Sequence, residues 1–145
     1  MKVMFDINVV LDIAARREPF FSASRSAYLA AKESGVVTAF SAHAFTTFHY
    51  LVSRFAKESA RKRLMNWLGG NFIVASVGEH EIHDALASKF KDFEDAVVEA
   101  AAVSSNCNGI VTRNAADFAV ERGRPRDDGR VQTHSEQPAC VTPKG

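Results

Sequence analysis

Hydrophobic positions in this chain fall in short solid runs, separated by stretches that repeat with a helical period. Lys2-Val3-Met4-Phe5 is the first such run and predicts a strand over about residues 2 to 5. Asn8 to Asp12 follows as a local helical turn, in which Asp12 has the common role of capping or stabilising, and Arg16-Arg17-Glu18-Pro19-Phe20 reads as a polar turn. Ser22 or Ser24 opens a helix through Tyr28, Leu29 and Lys32 that Gly35 stops. The β-branched, apolar run Val36-Val37-Thr38-Ala39-Phe40 predicts a second strand, and Ser41 is placed to cap a helix through Phe45, Phe48, Val52 and Phe55. A further helix from about Ala60 to Leu68 ends at Gly69-Gly70, and Phe72-Ile73-Val74-Ala75 makes a third strand. A short helix starting at Glu79 and ending near Phe90 leads into the stretch Asp92 to Phe118. There a helix is followed by the SNCNG break, the buried strand Gly109-Ile110-Val111-Thr112, and a turn from Arg113-Asn114 to Asp117.

Strands alternating with helices at these intervals argue for an α/β fold: a three-layer α/β/α sandwich around a mostly parallel sheet. The periodic part, residues 1 to 120, reads as a single domain, and residues 121 to 145 as an irregular C-terminal tail. Within that tail, residues 139 to 142 are a candidate short edge strand.

Composition narrows the function classes. The chain has 145 residues, 46% of them hydrophobic, enough for one core. Its net charge of +1, from 18 basic and 17 acidic side chains, provides no global field that would draw it to nucleic acid or membrane, so any such contact must be local. Lys57, Arg61, Lys62 and Arg63 form a solvated basic face that is also able to meet phosphate. Asp6 interrupts the first apolar stretch, unlike a signal peptide, and no apolar run approaches the ~18 residues of a membrane helix. A cytoplasmic location is expected. Cys107 and Cys140 lack metal-type spacing and are expected as free thiols, and His80 and His83 read as exposed helix polarity.

The candidate chemistry is acidic. At ~100° per residue, Phe93, Ala96, Val97, Ala100 and Ser104 share one helix side, and Asp92, Asp95 and Glu99 crowd an arc of roughly 60° beside it. Acids in a first helical turn complement the macrodipole, which is one sufficient account of Asp92 and Glu94. The other account starts from Asp6, which closes the first strand as Asp117 closes the turn after the last. In parallel α/β sheets ligand sites lie outside the carboxyl ends of the strands, so both acids are candidates for one edge, with Asp95 facing them from a helix start.

Three segments, FDINVVLD, DFEDAVVEAAA and IVTRNAADF, together resemble the PIN domain, particularly the small bacterial members similar to VapC toxins, over about residues 1 to 118. The resemblance implies an α/β/α sandwich and a metal-dependent endoribonuclease. It further implies Mg²⁺ or Mn²⁺ as cofactor, an RNA substrate, a cognate antitoxin as partner, and a homodimer. Carried over by position, Asp6, Asp95 and Asp117 match the family's acids, Asn8, Thr112 and Asn114 its supporting polar positions, and Asp92 an acid present in part of the family. The family often has a second acid, usually Glu, where this chain has Thr47, or in an alternative alignment Thr46. The tail also departs from the strand and helix that commonly end the family's fold.

Hard divalent cations take oxygen ligands, and Mg²⁺ is usually held by one or two carboxylates plus waters, so Asp6, Asp95 and Asp117 suffice in number. The implied mechanism is in-line attack of metal-activated water on an RNA phosphodiester, with Thr112 and Asn8 orienting the ligands. Three rival readings stand beside it. One is a haloacid-dehalogenase-like phosphatase, which wants an Asp where this chain has Asn8. Another is a PIN-fold binding module weakened in catalysis, and the third is an α/β domain whose acids are only caps and surface charge.

Overall fold

The computed structural model describes residues 1–114 and the strand at 139–141. In chain order the elements are β1 (Lys2–Phe5), α1 (Ile7–Ala15), α2 (Phe21–Glu33), β2 (Val37–Ser41), α3 (Ala42–Ser53), α4 (Glu58–Asn71), β3 (Ile73–Ala75), α5 (Glu79–Ala87), α6 (Phe93–Ser104), β4 (Gly109–Thr112) and β5 (Ala139–Val141). The five strands form one sheet in the order β3-β2-β1-β4-β5. The first four are mutually parallel, and β5 runs antiparallel to β4.

Strand alternation sends each β residue to one of two different cores. Val3 and Phe5 of β1, Phe40 of β2 and Val111 of β4 meet α1 to α4 in a cluster rich in aromatics, with Phe48 and Phe72 among them. Met4, Ala39, Ala75 and Ile110 face the other way, onto Val98, Ala101 and Ala102 of α6. Small residues line that second core, so α6 lies close over the centre of the sheet, and α5 packs on it through Ala85 against Ala96 and Val97. The result is the expected three-layer sandwich, whose central strands β1 and β4 are buried on both sides.

Several local expectations change for tertiary reasons. Helix α4 passes through Gly69 and Gly70 to Asn71, where nothing lies within 4 Å of the missing Cβ positions. Asn71 holds that last turn: its side chain accepts from Tyr28 Oη at 2.8 Å and donates to the Trp67 carbonyl at 2.8 Å, while its carbonyl accepts from Thr38 Oγ1. Ser24 does not cap α2, which starts at Phe21, but is buried and donates to Asp12. Ser41 stands at the N-cap of α3 with its hydroxyl turned to His43 Nδ1 at 3.1 Å. Phe93, placed by period on the apolar side of α6, is 49% exposed.

Candidate active site at the carboxyl edge of the sheet

Asp6 is the first residue beyond β1 and the N-cap of α1, in extended conformation, with its own N–H donating to the Val111 carbonyl of β4 at 2.9 Å. Parallel pairing of Phe5 with Val111 brings the next residue of each strand, Asp6 and Thr112, side by side. Thr112 is fully buried, and its hydroxyl donates to Asp6 Oδ2 at 2.9 Å. The same Thr112 oxygen accepts from the Asn114 backbone N–H at 3.0 Å, and Asp6 Oδ1 accepts the Asn8 N–H at 3.4 Å. Thus Asn8 and Asn114 support the site through their backbone. Burial pushes the Asp6 carboxyl above the usual range, against the Thr112 hydrogen bond, the Asn8 amide and the more distant charge of Arg113. Among the described residues no cation stands in ion-pair contact with Asp6.

Helix α6 brings the second set of acids. Asp92 is exposed and caps the helix, its Oδ1 accepting from the N–H groups of Glu94 at 2.8 Å and Asp95 at 3.3 Å. Asp95 sits half-buried in the first turn. Glu94 is also half-buried, and its Oε1 is out of solvent with no hydrogen-bond partner among the described residues. Its carboxyl is raised by burial first, then by the charge of Asp92, then by that of Asp6, so the start of α6 and the end of β1 share one electrostatic neighbourhood. Among the described residues no three His, Cys, Asp or Glu side chains converge on a common point. Asp117 lies outside the described residues.

Helix α3 contributes no carboxylate to this edge. Thr47 and Thr46 each turn the hydroxyl onto the His43 carbonyl of their own helix, at 3.4 Å and 2.8 Å. Glu94, which the sequence accounts for as a first-turn acid complementing the macrodipole and which a helical wheel puts off the arc of Asp92, Asp95 and Glu99, is a first-turn acid of α6 with an oxygen closed off from solvent and without a hydrogen-bond partner among the described residues. The available signal was its position as the second residue of a capped helix, beside Asp95. What this edge offers chemically is a buried anion with hydroxyl and amide donors, further hard oxygens on α6, and, among the described residues, no cation in ion-pair contact with Asp6. That donor set fits a divalent cation such as Mg²⁺ or Mn²⁺.

A family model described as the PIN domain matches residues 2–116. Among solved structures, the chain is similar to VapBC2 from Rickettsia felis bound to a DNA fragment from its promoter, with a TM-score of 0.63, 16% identity, and coverage of 83% of this chain and 92% of that one. A toxin-antitoxin complex from Klebsiella pneumoniae matches with a TM-score of 0.63, 21% identity and coverage of 86% and 96%. Mycobacterium tuberculosis VapC20, a toxin that cleaves the sarcin-ricin loop, matches with a TM-score of 0.67, 13% identity and coverage of 82% and 95%. At these identities the likeness is one of fold. No curated protein sequence matches.

Proposed function

Because the chain belongs to the PIN domain family, we propose that it is a Mg²⁺- or Mn²⁺-dependent endoribonuclease and the toxin of a toxin-antitoxin pair, acting in the cytoplasm. The observation that carries this reading is Asp6, a carboxylate only 3% exposed that, among the described residues, is held by a hydroxyl and an amide rather than by a cationic side chain. Burying an anion in this way is unfavourable unless something positive completes it. Asp6, Asp95 and Asp117 would hold the cation, with Asp92 adding negative potential while it caps α6. When bound, the cation lowers the pKa of water and offsets charge developing on the scissile phosphate. Thr112 fixes Asp6 by donating to Oδ2, and the Asn114 and Asn8 amides fix Thr112 and Asp6 in turn.

An antitoxin partner, supported by the toxin-antitoxin complexes that share the fold, belongs to the same reading, as do an RNA substrate and a homodimer. No helix among the described residues is long and apolar enough to cross a membrane. A second reading, a PIN-fold binding module weakened in catalysis, draws on Thr47, whose hydroxyl is turned to its own helix where a carboxylate is common in the family. The experiment is cleavage of a single-stranded RNA with Mn²⁺ and with chelator, by wild type and Asp95→Asn. The nuclease reading expects cleavage only with metal and only by wild type. Metal-independent cleavage, or none by either protein, removes it.

A further inference from the structure

Glu94 presents a buried anionic oxygen that no hydrogen bond among the described residues completes. Oε1 is shielded from solvent and has no hydrogen-bond partner, although the residue lies in the first turn of α6, where backbone N–H groups are still unpaired. Those nearest N–H groups, of Glu94 and Asp95, are taken by Asp92 Oδ1. No Lys, Arg or His among the described residues forms an ion pair with Glu94. The charges that act on this carboxylate are instead those of two other acids, first Asp92 and then Asp6. A merely dipole-complementing acid would turn to solvent, as Glu58 does in the first turn of α4 with its side chain 70% exposed.

Across the site, α3 leaves a gap in the donor set. Thr47 carries no charge and bonds its own helix, and no acid stands in the first turn of α3. Glutamate has one methylene more than aspartate, so from the second position of α6 it extends a carboxylate further than Asp92 or Asp95 can from theirs. We infer that Glu94 supplies the carboxylate that position 47 lacks, and that its Oε1 ligates the same divalent cation as Asp6. This rests on the reading of the edge as a Mg²⁺ or Mn²⁺ site. A cation there changes the interaction of Glu94 with Asp6 from repulsion to shared attraction, and completes the orphaned oxygen with a hard acid of the kind it prefers.

The test is calorimetric titration of the metal-free full chain with Mn²⁺, alongside melting temperatures in chelator, for wild type, Glu94→Gln, Asp6→Asn and Glu58→Gln. Glu94→Gln is expected to weaken Mn²⁺ binding by about tenfold or more, the scale on which single groups at metal sites act, and to melt above wild type in chelator because one buried charge facing Asp6 is gone. Glu58→Gln, which changes a first-turn acid of α4 away from the site, is expected to leave binding unchanged. If Asp6→Asn abolishes Mn²⁺ binding while Glu94→Gln binds as wild type does, the metal site stands and this assignment falls. A wild type that binds no Mn²⁺ overturns both.

Discussion

Asp6 and Asp12 lie six positions apart on one strand-helix unit, both essentially out of solvent, and they are compensated in opposite ways. Asp12 receives the Ser24 hydroxyl at 2.9 Å, Arg113 Nε at 3.4 Å and Arg17 Nη1 at 3.9 Å. Burial raises its carboxyl, and Ser24, Arg113 and Arg17 each act to lower it. Asp6 also has a hydroxyl, from Thr112, but beyond that, among the described residues, only amides and the field of Arg113. The difference separates structure from chemistry. An acid paired with two arginines has its charge matched by the protein, even though Asp12 Oδ1 makes no hydrogen bond among the described residues, and here it anchors the turn after β4, since Arg113 also stacks 4.0 Å over the Phe20 ring. An acid held by neutral donors is positioned while its charge stays available.

The largest effect that tests this contrast is on catalysis. Asp6→Asn keeps the size of the side chain and removes the charge, so RNA cleavage should fall by about three orders of magnitude or more, while the melting temperature in chelator is unchanged or higher. Single-turnover cleavage and thermal melts check both parts. A variant that cleaves normally, or that melts well below wild type, breaks the distinction.

Asp12→Ala is the complementary case. It strands Arg113 and the Ser24 hydroxyl in partly or fully buried positions and should cost about 2 kcal/mol of stability, below the full value for a buried pair because Arg17 is 45% exposed. Chemical denaturation measures it. A loss smaller than that of Asp6→Asn would reverse the assignment of the two acids.

Thr112→Val removes one hydroxyl that both donates to Asp6 and accepts from Asn114, at nearly constant volume. A stability loss of about 1 kcal/mol and a marked fall in cleavage are expected, with Thr112→Ser restoring most of both. Equal loss in the Thr112→Ser variant would show that the methyl group, rather than the hydroxyl, matters.

The smallest effect concerns His43, a third titratable group drawn out of solvent. Burial lowers its pKa below the usual imidazole value of 6.5, and its Nε2 has no hydrogen-bond partner among the described residues. The unfolded chain therefore binds a proton first as pH falls, so this group's contribution is intact above 6.5 and is lost as pH drops from there through the folded value. His43→Gln should flatten the pH dependence of stability between neutral and mildly acidic pH. An unchanged slope would mean that other groups carry it.

Much of the fold was legible because its signals are local. Solid apolar runs marked β1, β2, β3 and β4, and helical periods between them required helices on both faces of a parallel sheet. Asp6 at the end of the first run, and DFEDA ahead of IVTRN, pointed to the carboxyl edge, since strand ends in parallel sheets are open to ligands. Only long-range pairing decided that β4 lies beside β1, which turns Thr112 from a residue that merely ends a strand into the donor to Asp6. Burial decided the rest. A wheel of ~100° steps ranks positions by one face, but α6 is enclosed by the sheet and by α5, with Ala96 to Ala102 all buried while Phe93 stays outside. The direction of each first-turn acid therefore depended on what the helix end meets, which no periodicity contains: Asp92 turned to the cap, and Glu94 turned one carboxylate oxygen out of solvent, where the charges of Asp92 and Asp6 act on it.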